Sequence, residues 1–184
     1  MDEYPKEVNL KSGQKLTLRL LNEDDIEPLI LFFKSLPEED RMYLRSDVTK
    51  RENILRRFGD INYDKVYPVI ALDRERIVAI GSLWRAEFGW MRHLGEIRVV
   101  VASDFQRKGL CTILTREIFF HALTTDLYKI QAEVMEDQVG ALNAFERLGF
   151  KKETVLRKHV TDIQGKRENL VIMSLDIQEM WYLM

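Results

Sequence analysis

A single cysteine, Cys111, in 184 residues excludes an intramolecular disulfide and a thiolate zinc cage, and it suits a reducing compartment. Histidine is nearly as scarce. His121 and His159 have no partners at ligand spacing, so no metal is expected. No run approaches the ~20 consecutive apolar residues of a membrane helix. The opening Met1-Asp-Glu-Tyr-Pro-Lys-Glu7 is charged and lacks the apolar stretch of a signal peptide. A cytoplasmic protein is the expectation. Net charge is also small, 28 basic against 30 acidic residues, which gives nucleic acid no bulk electrostatic attraction. Linkers of low complexity and internal repeats are missing, so residues 1–184 are expected to form one domain that buries roughly 70% of its unfolded surface.

The periodicities predict an α/β chain. Leu16–Leu21 alternates as a strand after the turn at Ser12-Gly13. Asn22 offers an N-cap with Glu23, Asp24 and Asp25 in the first turn. Ile26, Leu29, Ile30 and Phe33 then form one helical face that ends near Pro37. Residues 38–66 are harder to read, with short helices expected at Arg41–Leu44 and Arg51–Phe58. Strands Tyr67–Leu72 and Ile77–Trp84 flank the hairpin link Asp73–Arg76. The looser stretch Arg85–His93 follows, then a strand at 96–101 and a helix at 105–123. Lys129–Met135 reads as a strand and Gln138–Leu148 as a helix with Gly149 just beyond its end. Val155–Ile163 and Asn169–Leu175 close the chain as strands around Gln164-Gly165. The order β-α-(α)-β-β-β-α-β-α-β-β implies a mixed sheet.

The stretch Leu94–Leu114 carries the chemistry. A β-branched strand bearing the carboxylate Glu96 runs into a loop with Arg107, Lys108 and Gly109, and a helix follows. Backbone N–H groups and the positive end of a helix dipole thus converge on one small space, which suits phosphate. Gly109 lets an anion approach the backbone closely. A phosphate cradle beside a strand-borne carboxylate points to an enzyme that grips a phosphorylated cofactor and handles a proton next to it. Read plainly, Glu96 and Arg98 would form only a surface pair of little worth to stability. Trp84, Phe88, Trp90 and His93 precede the strand and would line an acceptor pocket or pack at its edge. Cys111, close to a helix start, is a small residue tolerated in a turn or a thiol of lowered pKa.

On these residues the chain resembles the GCN5-related N-acetyltransferase (GNAT) family. Gln106-Arg107-Lys108-Gly109-Leu110-Cys111 is similar to its signature Q/R-x-x-G-x-G/A, with the last slot altered. Ala144-Phe145-Glu146-Arg147-Leu148-Gly149-Phe150 resembles the later helix ending A-x-Y-x-x-x-G-F. Gly95-Glu96 through Gly109 further resembles the acetyltransferase domain of Pat-type protein-lysine acetyltransferases, in the same register. The resemblance implies a mostly antiparallel mixed sheet of about seven strands, flanked by helices and splayed between the fourth and fifth.

For the site, the resemblance implies acetyl-CoA as cofactor. The N–H groups of Arg107, Lys108, Gly109, Leu110, Cys111 and Thr112 would wrap its pyrophosphate, with side-chain help from Gln106, Arg107 and Lys108. Val99, Val100 and Val101 would pair with the pantetheine arm, an N–H near Val100 polarising the thioester carbonyl. Glu96 would be the general base. Phe145 stands where many members place a tyrosine acid and has no proton to donate. Gln138 would replace a pantetheine-binding asparagine. The expected activity is N-acetylation of a primary amine (a protein lysine, an N-terminus, an amino acid or a small amine) by direct attack in a ternary complex. The rival is a non-catalytic acyl-CoA sensor or interaction domain. The apolar tail Met180–Met184 offers a contact for a homodimer or packs on its own domain.

Overall fold

The computed structural model describes residues 4–162 and 164–181. Residues 1–3 of the charged opening, Ile163 at the expected end of a strand, and residues 182–184 of the apolar tail lie outside the described residues.

Eight strands form one sheet, β1 (Lys6–Asn9), β2 (Lys15–Leu20), β3 (Val66–Asp73), β4 (Arg76–Arg85), β5 (Leu94–Val101), β6 (Lys129–Met135), β7 (Lys151–Thr161) and β8 (Arg167–Asp176). Their order is β1-β2-β3-β4-β5-β6-β8-β7. Every neighbouring pair is antiparallel except β5 and β6. The expected seven strands are present, and β1 is the addition. The helices are α1 (Ile26–Ser35), α2 (Glu38–Arg41), α3 (Arg51–Phe58), α4 (Leu110–Ala122), α5 (Val139–Arg147) and α6 (Ile177–Trp181). The helix expected at Arg41–Leu44 thus lies three residues earlier, where Pro37 starts it and three acidic residues fill its first turn. Among the described residues no helix is long and apolar enough to cross a membrane.

Residues in β3 and β4 are almost continuously apolar and buried, because helices cover both faces of the middle of the sheet. On one face α4 comes so close that a Cβ on Gly81 would lie 2.9 Å from Ile118 and 3.2 Å from Leu114. On the other face Phe58 of α3 meets Trp84 of β4 at 5.7 Å between ring centroids. Pro68 is tolerated in β3 because its N-side faces the place where β2 has run out: the last rung there is the Leu21 N–H bonding the Pro68 carbonyl at 3.0 Å. The entry to α1 is locked by Asn22, which accepts from the Asp24 N–H, while Asp25 accepts from the Asn22 N–H and takes two bonds from Arg19.

The parallel pair decides where a ligand can sit. β5 and β6 share only the rungs Leu94↔Lys129, Gly95↔Ile130 and Glu96↔Gln131, then part. This is the expected splay, between the fourth and fifth of the seven anticipated strands.

Candidate functional site

A cavity of about 660 Å³ opens in this splay. Its donor end is the turn after β5. The helix expected from residue 105 starts only at Leu110, because Arg107 (φ 60°) and Gly109 (φ 89°) are left-handed. That conformation strains arginine more than glycine. The first bond inside α4 is Ile113 N–H to the Gly109 carbonyl, 3.1 Å. The N–H groups of Leu110, Cys111 and Thr112 therefore have no acceptor within the helix, and these residues line the cavity with Gly109, Arg107 and Gln106. Orphan N–H groups at a helix start form a ready anion cradle.

The edge of β5 forms the next stretch of wall. The Ala102 N–H bonds the Val78 carbonyl at 2.9 Å, and the β4–β5 register runs unbroken from Ala79↔Val101 to Arg85↔Gly95. By the alternation of an antiparallel ladder, Val100 and Arg98 turn their N–H groups to β4. Val99 and Val101 turn theirs into the splay, beyond the last β6 rung. An oxyanion donor is expected near Val100, but Val100 spends its N–H on the sheet, and the open N–H groups are those of its neighbours Val99 and Val101.

The opposite end is built on the face shared by Trp84, Ser82, Glu96 and Arg98, where Trp84 is the partner of Glu96 and Ser82 that of Arg98. Glu96 Oε1 accepts from Arg98 Nε at 2.8 Å and meets Arg45 Nη2 at 3.1 Å, while Oε2 accepts from Arg45 Nη1 at 3.3 Å. Arg45 also pairs with Glu133. Arg98 lies over the Trp84 ring, 5.2 Å from its centroid. Arg57, on the last turn of α3, completes the wall. The Glu96–Arg98 pair exists, but within a half-buried cluster of five charged groups.

Glu96, Val99, Val100, Val101, Gln106, Arg107, Gly109, Leu110, Cys111, Thr112, Gln138 and Phe145 all line this one cavity. Lys108 does not; its Nζ sits 4.9 Å from the Phe105 ring centroid. Lys11 does line it, its side chain about 3.7 Å from where a Gly109 Cβ would be. The Gln106 amide is engaged by Asp40 (3.1 Å) and the Val101 carbonyl (3.4 Å) instead of facing an open anion site. Gln138 uses its carbonyl on the Met135 N–H, 3.2 Å, leaving its NH2 half for a ligand. Phe145 is 5% exposed and packs on Phe150 at 4.9 Å. Burial pushes the Cys111 thiol up, which fits the reading of a small residue tolerated in a turn and not that of a thiol of lowered pKa. Of the aromatic group only Trp84 reaches the cavity. Phe88 and Trp90 are 85% and 87% exposed, and the His93 ring neighbours Tyr128 at 6.1 Å.

Lys11, Arg45, Arg57 and Glu133 escaped the sequence reading. Alternation along Lys129–Met135 does mark Glu133 as sharing a face with Gln131, but only the folded chain brings it to Arg45.

Comparison with known proteins points to one family. A family model described as acetyltransferase (GNAT) family matches residues 30–150. The ribosomal protein bS18-alanine N-acetyltransferase of Salmonella typhimurium is 32% identical over 79 residues, 43% of this chain and 53% of that protein. The match thus spans about half the length of that curated relative. Among solved structures, the GNAT domain of S. lividans PAT superposes with a TM-score of 0.78 at 18% identity, covering 95% of this chain and 99% of that one. Spermidine N-acetyltransferase from Vibrio cholerae, in complex with CoA and spermine, gives 0.71 at 18% identity over 89% and 96%. At such identities the structural likeness is one of fold.

Proposed function

The chain belongs to the GNAT family of acetyltransferases, and from that premise we propose that it acetylates a primary amine with acetyl-CoA by direct attack in a ternary complex, Glu96 acting as general base. The carrying observation is that the α4 cradle, the open edge of β5 and Glu96 line one continuous cavity. The residues fit the cofactor. Orphan N–H groups of the turn and of α4 suit its pyrophosphate with Lys11 beside them, and the β5 edge suits an amide-bearing arm. Bound acetyl-CoA would supply the acetyl group as an activated thioester.

The chain's own residues do the rest. An amine of pKa ~10.4 enters as ammonium, and freeing its lone pair at neutral pH costs about 4–5 kcal/mol. Glu96 takes that proton, directly or through a water. Arg98 orients its carboxylate, and Arg45 must loosen from Oε2 as the proton arrives. The open N–H of Val99 or Val101 would donate to the carbonyl oxygen of a bound acyl group, where such a donor is worth on the order of a hundredfold in rate. Phe145 has no proton to give, so a departing thiolate would depend on water for its proton. A second reading, a non-catalytic acyl-CoA-binding domain, draws on that phenylalanine and on the arginines that occupy both Glu96 oxygens.

Calorimetric titration with acetyl-CoA, followed by CoA release on a panel of amines, separates the two. Binding is expected in the native chain and lost in Gly109→Glu, which adds a carboxylate to the cradle at a left-handed residue. Glu96→Gln is expected to lower turnover about 10²–10⁴-fold while retaining cofactor affinity. Unchanged turnover in Glu96→Gln removes the base role, and binding without turnover on any amine favours the second reading.

A further inference from the structure

The acceptor end of the cavity holds more guanidinium than carboxylate. Arg45, Arg57 and Arg98 face Glu96 and Glu133 there, three positive groups against two negative. Their pairing is unequal. Arg45 spans both carboxylates, and Arg98 is held between Glu96 and the Trp84 ring. Arg57 makes no hydrogen bond and no ion pair among the described residues, although it is half-buried. Burial, and then the neighbouring charges of Arg98, Arg45 and Arg56, press against its positive form, with Glu96 opposing them. Arginine nonetheless stays protonated in proteins. Its planar fork is therefore a set of unused donors inside a positively charged recess, beside the apolar rings of Phe58 and Trp84.

An acceptor with only positive charges, such as a polyamine, would bring them against this surplus. An acceptor with both an amine and a carboxylate adds no net charge and gives the surplus guanidinium an anionic partner. We propose that the acceptor is a carboxylate-bearing primary amine, whose carboxylate is held by Arg57 while its amine meets Glu96. The amine half rests on the transferase reading. The carboxylate half rests on Arg57 and its surroundings. A bidentate guanidinium–carboxylate pair in a partly desolvated recess supplies both affinity and orientation.

The test uses the full chain saturated with CoA, titrated calorimetrically with matched ligands. One arm is glycine, β-alanine, 4-aminobutyrate and lysine. A second is their amides, with spermidine added. A third compares the peptides Ala-Glu-Ala and Ala-Gln-Ala as C-terminal amides, because an acidic side chain beside a peptide amine offers the same chemistry as a free amino acid. Acetyl-CoA consumption is followed on the same panel.

At least one carboxylate-bearing amine is expected to bind roughly ten- to a hundredfold more tightly than its amide. Arg57→Gln should erase that difference while leaving the amide's affinity unchanged, and Arg57→Lys should restore part of it. A merely structural Arg57 would weaken acid and amide alike. Equal binding of acid and amide, a preference that survives Arg57→Gln, or no binding by any carboxylate-bearing amine overturns the proposal. The two readings fail separately. Acid-selective binding without acetylation keeps the anion site and removes the transferase, whereas acetylation indifferent to the carboxylate does the reverse. Preference for Ala-Glu-Ala over the free amino acids identifies an acidic peptide as the source of the carboxylate.

Discussion

Asp25 is 5% exposed, and its two oxygens take bonds of 2.5 and 2.7 Å from Arg19. Burial on its own would raise its carboxyl, but the Arg19 guanidinium and the Asn22 N–H outweigh it and hold the group below the usual carboxylate range. A depressed folded pKa contributes stability that is present above the unfolded value of ~3.9 and lost as pH falls through the folded one. Asp25→Asn should cost about 2–3 kcal/mol at pH 7, a charged bond lost and Arg19 left without its partner. In urea titrations across pH, the gap between native and variant should stay level above about pH 5 and close on further acidification. A gap that does not begin to narrow as pH falls below the unfolded value of ~3.9 would sink this account. Asn22 and its acidic neighbours were legible as a cap because capping chemistry is local. Arg45, Arg57 and Glu133 were not, because each acquires its role only when a loop, a helix and a parallel strand meet. The state of the Cys111 thiol was not legible either: helix position can be read from sequence, whereas the degree of desolvation cannot.

At the scale of elements, β5 carries two jobs on alternate residues, one edge sewn to β4 and the other left open. Proline separates them, since it removes an N–H and is tolerated where that N–H has no ladder partner. Val99→Pro should keep the sheet, with a melting temperature within a few degrees of native, and lower turnover by about a hundredfold or more. Val100→Pro should break a rung to β4 and unfold the chain or lower its midpoint severely. Equal tolerance of both, read by thermal melts and CoA release, contradicts the register. The strand itself was plain from its β-branched run. The start of α4 was not: apolar periodicity runs smoothly through Phe105, and nothing in Gln-Arg-Lys announces that Arg107 adopts φ 60°. Tertiary anchors hold that turn, among them Arg76 paired with Asp104 at 2.8 Å.

Across the whole molecule, the sheet is two sets of strands joined at three parallel rungs, with residues 38–50 strapped over the gap. Asp40 accepts from Ser103 and Gln106 at 2.8 and 3.1 Å, the Tyr43 hydroxyl reaches Asp137 at 3.2 Å, and Arg45 joins Glu96 to Glu133. Backbone amides at the centre of a large sheet ordinarily exchange slowly, being freed only by near-global opening. Val99 and Val101 should be exceptions. In hydrogen–deuterium exchange they should trade quickly in the free chain, slow by an order of magnitude or more with saturating acetyl-CoA, and contrast with Arg98 and Val100, protected throughout. Uniform protection of all four in the free chain would contradict an open edge. The strand sequence and the splay were readable because alternation and connection length constrain them. β1 was not, since four residues with a half-exposed pattern carry too little signal.

Arg45 and Arg57 belong to one continuous stretch that leaves the sheet after α1 and rejoins it at β3, whereas the cofactor-facing groups sit on β5, α4 and α5. These two arginines of the recess and the cradle residues thus lie on different stretches of chain, stitched together through Asp40, Tyr43 and Arg45. Exchanging residues 41–58 would therefore alter the recess at both of these arginines while leaving the turn and helix that form the cradle intact.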